Sequence, residues 1–269
     1  MSDMSAPTVP VEPRPAASVV IVRDAAPGAP EPLEVWMIRR KKTMKFLGGY
    51  YAFPGGRVDA ADAAPEALAS AHGLDTAGAA RVFPGHEALP ALAFWITAVR
   101  ELLEESGVLL ACDAAGGPIE ATPEALTRVR RDLMAGGALP GLLAREGWRC
   151  DLRGLRYLSH FITPTSSPIR FTARFFLCRA PAGQAPALFT EETSEAFWIH
   201  PGEGYRRFVA GEMAMAEPAE YGLGYLAQFA SLDELWAAHA DGRHKFHGVS
   251  ERMNLAWATF DWKTNRFPS

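Results

Sequence analysis

The chain has 269 residues, of which 48% are hydrophobic and 22% are charged, so it can bury a sizeable core and is not a disordered protein. Its formal net charge of −4 argues against a general nucleic-acid binder, because phosphate contacts require a basic surface. The three cysteines are far apart and form no C-x-x-C pair, which excludes a disulfide framework and fits a reducing cytosol. No apolar run reaches the about 18 residues of a membrane span, and no signal-peptide pattern is present, so we expect a soluble cytoplasmic protein with no membrane partner.

The first part of the chain is predicted to contain short strands and turns. Residues 1–15 are dense in proline and are expected to form a disordered leader. The β-branched segment 17–22 and the segment 33–38 are predicted strands, joined by a Pro- and Gly-rich loop as a hairpin. A basic run follows at 39–42, and a short apolar segment ends at a Pro-Gly-Gly turn at 54–56.

The middle of the chain carries the strongest helix pattern. Apolar residues recur at helical spacing over 91–106, and Gly107 supplies the stop. A short helix is predicted at 65–71, within the Ala-, Gly- and Pro-rich stretch before the long helix. The apolar run 108–110 is predicted to be a strand. Residues 122–146 are predicted to form one or two helices, with Thr122 as the N-cap and proline at the first helical position.

Strands and helices also alternate in the rest of the chain. Strands are predicted at 155–162, 169–178 and 197–199, and helices from 201 to the low 240s. The last 25 residues have no clear period. This mixed order predicts an α/β (α+β) fold with a mixed sheet and helices on both faces.

Three carboxylates fall on one face of the long predicted helix. Glu101, Glu104 and Glu105 stand at i, i+3 and i+4, whereas Leu102 and Leu103 turn toward the core. Like charges at this spacing destabilise an isolated helix by roughly a few tenths of a kcal/mol per pair, and a divalent cation would offset that cost. A solvated acidic surface is the alternative, and it is the commoner interpretation of a bare E-x-x-E-E pattern.

The sequence around these carboxylates resembles the Nudix box, whose consensus is G-x5-E-x7-R-E-U-x-E-E-x-G-U, with U a bulky aliphatic residue. The second half of the box matches at each defined position: Arg100, Glu101, Leu102, Glu104, Glu105, Gly107 and Val108. Upstream, the Phe-Pro-Gly-Gly segment 53–56 resembles the turn that opens the box, and Asp62 stands where the family has glutamate. On these residues the chain is identified as a member of the Nudix hydrolase superfamily.

The spacing departs from the consensus. Asp62 and Arg100 are 38 positions apart, so about 30 residues are inserted within the box, and Leu92 stands where a continuous box would place glutamate. A box interrupted in this way resembles the branch related to the peroxisomal coenzyme A diphosphatases. The resemblance implies a Nudix-type α/β/α sandwich over residues 16–242, with the insertion at about 63–91, extra C-terminal helices, and a C-terminal extension at 243–269.

Further segments resemble that branch. Residues 161–176 are similar to its strand pair after the box, and 192–199 to its acidic loop leading into a Trp strand. Enzymes of this superfamily that cleave coenzyme A often carry basic residues and a glycine before the Phe-Pro-Gly-Gly turn. Here the match is partial: Gly49 and Arg40 fit, and Lys45 replaces an arginine. These cations are predicted to hold substrate phosphates, and a solvated basic loop is the alternative.

The resemblance implies specific site residues. Glu101, Glu104 and Glu105 are the implied ligands of Mg²⁺ or Mn²⁺, and Arg100 is expected to pair with Glu104 and orient it. The implied catalytic residues also include a general base, for which the candidates are Glu101 and two glutamates after the box, Glu192 and Glu195. The substrate-binding residues are expected to be Arg40, Lys45, Gly55 and Gly56.

The implied function is metal-dependent hydrolysis of a pyrophosphate bond in a nucleoside diphosphate linked to another group. Coenzyme A or acyl-CoA is the first substrate, giving 3′,5′-ADP and (acyl-)phosphopantetheine. An ADP-ribose or nucleotide-sugar pyrophosphatase is the alternative, followed by a non-catalytic nucleotide-binding module. The expected partner is therefore a small nucleotide and not a nucleic acid, and a monomer and a homodimer both stay open.

Overall fold

The computed structural model describes residues 11–44, 47–86, 89–163, 167–188 and 193–242. Within these ranges, the strands in chain order are β1 Arg14–Asp24, β2 Leu33–Arg40, β3 Tyr51–Ala52, β4 Gly55–Arg57, β5 Ala71–His72, β6 Ala111–Asp113, β7 Trp148–Asp151, β8 Leu155–Ile162, β9 Phe171–Arg179 and β10 Thr193–Ile199. The helices are α1 Pro65–Ser70, α2 Thr76–Val82, α3 Ala91–Ser106, α4 Pro123–Met134, α5 Leu139–Arg145, α6 Pro201–Val209, α7 Glu217–Leu226 and α8 Leu232–Ala238.

The chain divides into two compact units. Among the described residues, the first is built from the ranges 11–19, 55–153 and 160–175, and the second from the ranges 20–54, 154–159 and 176–242. Across the described ranges, seven strands form one sheet, with the order β10-β2-β1-β9-β8, β3 paired with β2 and β4 paired with β1. Strands β1, β8 and β9 contribute residues to both units.

The first unit is organised around helix α3. The helix is buried along nearly its whole length, including the polar Thr97 and the charged Arg100, Glu101 and Glu105. Gly107 ends it in the left-handed conformation, with φ +73°, which confirms the predicted stop. A small mixed sheet of β5, β7 and β6 lies in the same unit, with β5 parallel and β6 antiparallel to β7.

The second unit contains the predicted hairpin. Strands β1 and β2 pair antiparallel with Val22 opposite Val35, and β10 pairs antiparallel with β2, placing Trp198 opposite Trp36. Helices α6 and α7 pack against each other. The predicted α/β class with a mixed sheet is confirmed.

Several predicted boundaries are confirmed. Helix α3, strand β8 and the Thr122 N-cap of α4 lie where the sequence predicts them, and the Thr122 side chain accepts a hydrogen bond from the Ala125 N–H at 3.2 Å. The predicted single or double helix over 122–146 is the pair α4 and α5.

Three boundaries were wrong. The predicted strand at 108–110 is instead a buried connection outside any strand, and strand β6 begins at Ala111. An apolar run indicates burial but not strand pairing. Strand β10 begins at Thr193, four residues before the predicted start, since its first half is polar. Strand β1 begins at Arg14, so the last two residues of the predicted leader belong to the sheet, where the Pro15 carbonyl accepts a hydrogen bond from the Val58 N–H at 3.0 Å. The last 25 residues lie outside the described ranges.

Candidate active site

A buried guanidinium lies at the centre of the predicted box. The Arg100 side chain, on α3, donates from Nη1 to a Glu101 carboxylate oxygen at 2.7 Å and to a Glu104 oxygen at 3.2 Å. Its Nη2 donates to the Arg57 carbonyl oxygen at 2.7 Å. The predicted pairing of Arg100 with Glu104 is therefore present, but it is one contact among several.

Asp62 is the further acceptor in this cluster. Arg100 Nε and Nη2 donate to the Asp62 carboxylate at 3.0 Å each, and Thr97 Oγ1 donates to it at 2.8 Å. The Asp59 N–H donates to it at 3.0 Å from the short 3-10 turn that carries Asp62. Although about 30 residues are inserted after it, Asp62 lies buried against the helix where the box implies its acidic residue.

The two glycines of the Phe-Pro-Gly-Gly turn allow close backbone approach. A Cβ atom on Gly56 would collide with the Glu101 carboxylate, and a Cβ atom on Gly55 would come within 2.6 Å of the Ser18 Cα atom. The Gly55 N–H donates to a Glu105 carboxylate oxygen at 2.8 Å. The Gly55 N–H therefore fixes one oxygen of Glu105, and the lack of a side chain at Gly56 leaves room for the Glu101 carboxylate.

The cluster carries an excess of negative charge. Burial raises the pKa of Glu101 to about 8, and the neighbouring Glu105 and Glu104 charges add to that rise while Arg100 opposes it. Burial likewise raises the pKa of Glu104. Burial lowers the pKa of Arg100, but the Asp62 hydrogen bonds and the Glu101, Asp62 and Glu104 charges outweigh it and hold that pKa above its ordinary value. A proton on Glu101, or a cation beside it, would relieve the excess.

The donor set fits a hard divalent cation in its chemistry. Glu101, Glu104 and Glu105 supply carboxylate oxygens, which are the ligands that Mg²⁺ and Mn²⁺ prefer. Within the described ranges, no group of three or more His, Cys, Asp or Glu side chains is arranged so that the group by itself could hold a metal ion. This arrangement fits Mg²⁺ nonetheless, because Mg²⁺ is usually held by one or two carboxylates together with waters and substrate phosphates.

Two other predicted site residues, Arg40 and Glu195, belong to the second unit. Arg40 ends strand β2, where its N–H donates to the Tyr50 carbonyl at 3.0 Å and its carbonyl accepts from the Gly49 N–H at 3.0 Å. Glu195 forms an ion pair with Arg39 at 2.8 Å and accepts a 3.4 Å hydrogen bond from the Tyr51 hydroxyl. Lys45 and Glu192 lie outside the described residues.

Sequence reasoning missed some of the groups that hold the cluster. Thr97 stands three residues before Arg100 on the same helix, so its spacing could have indicated it as a neighbour. The Arg57 carbonyl and the Asp59 N–H are main-chain groups, and no pattern of side chains reveals them. Arg39 was counted among the cations of the basic run, whereas the structure pairs it with Glu195.

Comparison with known proteins agrees with this geometry. The family model of the NUDT19 Nudix domain matches residues 13–226. A Caenorhabditis elegans protein named as a nudix hydrolase is 32% identical, over 74% of this chain and 57% of its own length. The acyl-coenzyme A diphosphatase NUDT19 of Gallus gallus is 29% identical, over 85% of this chain and 71% of its own length. A solved NUDIX hydrolase from Alicyclobacillus acidocaldarius is 33% identical, with TM-score 0.68, over 82% of this chain and 94% of the other.

The fold and the interrupted box thus define the class as the Nudix hydrolase superfamily. Within it, the chain belongs to the family of the NUDT19 Nudix domain. The chain spans between 57% and 71% of the length of the two curated relatives. None of its described helices combines the length and the apolar character that crossing a membrane requires.

Proposed function

We propose that this protein is a divalent-metal-dependent diphosphatase that hydrolyses the pyrophosphate bond of coenzyme A or an acyl-CoA. The observation that carries this proposal is the buried Arg100 cluster, which holds the carboxylates of Glu101 and Glu104 beside the glycine turn and Glu105. The Gallus gallus relative is named an acyl-coenzyme A diphosphatase, which supports coenzyme A or an acyl-CoA as the substrate.

The metal ligands would be Glu101, Glu104 and Glu105, with Mg²⁺ or Mn²⁺ as the ion. When bound, such an ion neutralises phosphate charge and lowers the pKa of a coordinated water, which makes attack on a charged pyrophosphate feasible at neutral pH. The protein supplies the position of these oxygens, and positioning with charge neutralisation accounts for most of the catalysis of phosphoryl transfer.

Each remaining residue of the proposed site has a defined task. Arg100 fixes the Glu101 and Glu104 carboxylates, and the Gly55 N–H fixes Glu105. In the reaction, a water oxygen bonds to one phosphorus, the bond from that phosphorus to the bridging oxygen breaks, and the water proton passes to a general base. We propose Glu101, Glu192 and Glu195, in this order, as candidates for that base. Glu195 comes last because it already forms an ion pair with Arg39.

The substrate phosphates are proposed to meet the backbone of Gly55 and Gly56 and the cations Arg40 and Lys45. Arginine forks and lysine ammonium groups both bind phosphate oxygens through charge-assisted hydrogen bonds. The products from coenzyme A would be 3′,5′-ADP and 4′-phosphopantetheine, with one water consumed. We propose residues 16–242 as the catalytic domain and the cytoplasm as its compartment, which the free, buried thiols Cys112, Cys150 and Cys178 support.

A substrate screen tests this function. The purified chain is incubated with Mg²⁺ or Mn²⁺ and, in turn, CoA, acetyl-CoA, ADP-ribose, NADH or a nucleotide sugar, and the products are separated by chromatography. We expect 3′,5′-ADP from CoA and acetyl-CoA. Cleavage of ADP-ribose or the sugar nucleotide alone would contradict the substrate assignment, and cleavage of none of them would indicate a non-catalytic nucleotide-binding module.

A matched pair of variants tests the metal assignment in the same assay. Glu105→Gln keeps the size of the side chain and an oxygen acceptor for the Gly55 N–H, but it removes the charge. We expect its activity to fall by about 10³-fold, because a catalytic metal contributes several kcal/mol of transition-state stabilisation. Glu66→Gln, at an exposed site on α1, should retain wild-type activity. Equal activity in Glu105→Gln and the wild type would refute the metal assignment.

A further inference from the structure

A second arginine contacts the end of the carboxylate-bearing helix from outside the Nudix box. Arg130, on α4, donates from Nη2 to the Glu104 carbonyl oxygen at 2.9 Å and from Nε to the same oxygen at 3.2 Å. Its Nε also donates to the Leu103 carbonyl oxygen at 3.2 Å. The contacts are made to the main chain of α3, next to the side chains proposed to hold the metal.

The carbonyls that Arg130 contacts lie in the last turn of α3. The final four carbonyls of an α-helix have no partner within the helix, and they carry the negative end of the helix dipole. The Gly107 N–H donates to the Leu103 carbonyl at 3.0 Å, and the Arg130 fork donates twice to the Glu104 carbonyl. A cation at this end stabilises the turn, and its planar fork fixes the main chain from which the Glu104 side chain extends.

Helix α4 is itself firmly placed. Ala125, Val129 and Leu133 recur at every fourth position and are buried, so one face of α4 packs into the first unit and α4 contacts α3. On the same helix, Arg128 forms a forked ion pair at 2.8 Å with Glu146, the residue that follows the C-terminal end of α5. Arg128 therefore provides a comparison within α4, because it is an arginine of the same helix that pairs away from α3.

Charge as well as geometry couples Arg130 to the carboxylates. Burial lowers the pKa of Arg130, and the negative charge of Glu104 opposes that lowering. The Arg130 guanidinium thus interacts electrostatically with the Glu104 carboxylate, while the hydrogen bonds of Arg130 are made to the backbone of α3.

We propose that Arg130 is a positioning residue for the metal-binding carboxylates, acting by fixing the last turn of α3 from helix α4. This inference rests on the proposed function, since it takes Glu104 and Glu105 as metal ligands. It requires no contact between Arg130 and the metal or the substrate. It assigns a role in the site to a residue 26 positions beyond Glu104, in a helix that the box does not include.

Metal affinity measured without turnover tests the proposal. Binding of Mn²⁺ to the full chain is followed by the electron paramagnetic resonance signal of the free ion, for the wild type, Arg130→Met, Arg130→Lys and Arg128→Met. Circular dichroism and thermal unfolding are recorded for each variant. The metal dependence of CoA hydrolysis and the KM for CoA at saturating metal are measured in parallel.

The affinity for Mn²⁺ is expected to decrease from the wild type through Arg130→Lys to Arg130→Met. Arg130→Met should weaken Mn²⁺ binding by about tenfold, as does loss of a group that orients metal ligands, while KM for CoA at saturating metal changes by less than about twofold. Arg130→Lys keeps the charge and loses the fork, so its affinity should lie between those of Arg130→Met and the wild type. If Arg130→Met does not fold, the Arg130→Lys comparison carries the test. Arg128→Met should bind Mn²⁺ like the wild type.

Two results would overturn the proposal in distinguishable ways. If the wild type is active and the Mn²⁺ binding curves of both Arg130 variants superimpose on the wild-type curve, the role of Arg130 is rejected. The proposed function is then unaffected. A wild type that neither binds Mn²⁺ nor cleaves CoA would reject both.

Discussion

Two arginine–carboxylate clusters in this protein use the same chemical groups in opposite surroundings. Arg100 and Asp62, in the first unit, have side chains that are 8% and 3% exposed. Arg39 and Glu195, in the second unit, are 28% and 47% exposed. Removing one partner of a buried ion pair leaves the other charge less well compensated in a poorly solvated site. At the surface, water replaces the lost partner. Burial therefore decides which cluster the fold depends on.

The largest expected effect is the loss of Asp62. Asp62→Ala removes the forked acceptor of the buried Arg100 Nε and Nη2 groups, and it removes one of the two acceptors of the Thr97 hydroxyl, the other being the Ala93 carbonyl. We expect the free energy of unfolding to fall by about 3–5 kcal/mol, measured by urea unfolding of the metal-free protein. The control is Asp132→Ala, which breaks an exposed pair with Arg131. An Asp62→Ala loss as small as that of Asp132→Ala would mean that burial does not separate the two kinds of pair.

The same contrast explains what the sequence could and could not predict. Helix α3 and its stop were predictable, because apolar spacing and a terminal glycine are local signals. The like-charged face was predictable from the spacing of Glu101, Glu104 and Glu105. The contact of Asp62 with Arg100 was not predicted, because the 37 intervening residues carry no local signal for a tertiary contact.

Two kinds of feature were out of reach of sequence reasoning. Contacts to the main chain, such as Arg130 to the Glu104 carbonyl, leave no pattern in the identity of the acceptor residue. Apolar runs such as 108–110 indicate burial, but they do not say whether the backbone pairs with another strand. Both failures have the same cause: the missing information is which backbone groups meet in space.

A smaller effect is expected from pH, and it sharpens the comparison within the buried cluster. Burial raises the pKa of Glu101 from its ordinary 4.5 to about 8 in the folded protein. The folded state therefore binds more protons than the unfolded state between these values, so stability is present at low pH and is lost as pH rises through about 8. We expect the Tm of the metal-free wild type to fall by a few degrees over this window, relative to Glu101→Gln, which cannot titrate. If Tm varies with pH in the same way in the wild type and in Glu101→Gln, this pKa is contradicted. Added Mg²⁺ should reduce the dependence of the wild-type Tm on pH.

The smallest effect is expected at the exposed cluster. Arg39 and Glu195 are joined at 2.8 Å, but both are partly solvated, and holding two long side chains in one geometry costs entropy. A double-mutant cycle of Arg39→Ala and Glu195→Ala, followed by urea unfolding, should give a coupling energy of about 0.2–1 kcal/mol. The pair of Arg23 and Glu34, which is joined at 2.7 Å and is also partly exposed, is the matched cycle and should give a similar value. A coupling energy well above this range would show instead that the Arg39 pair is shielded from water. The Tyr51 hydroxyl, which donates to Glu195, would then be the first group to test as the cause of that shielding.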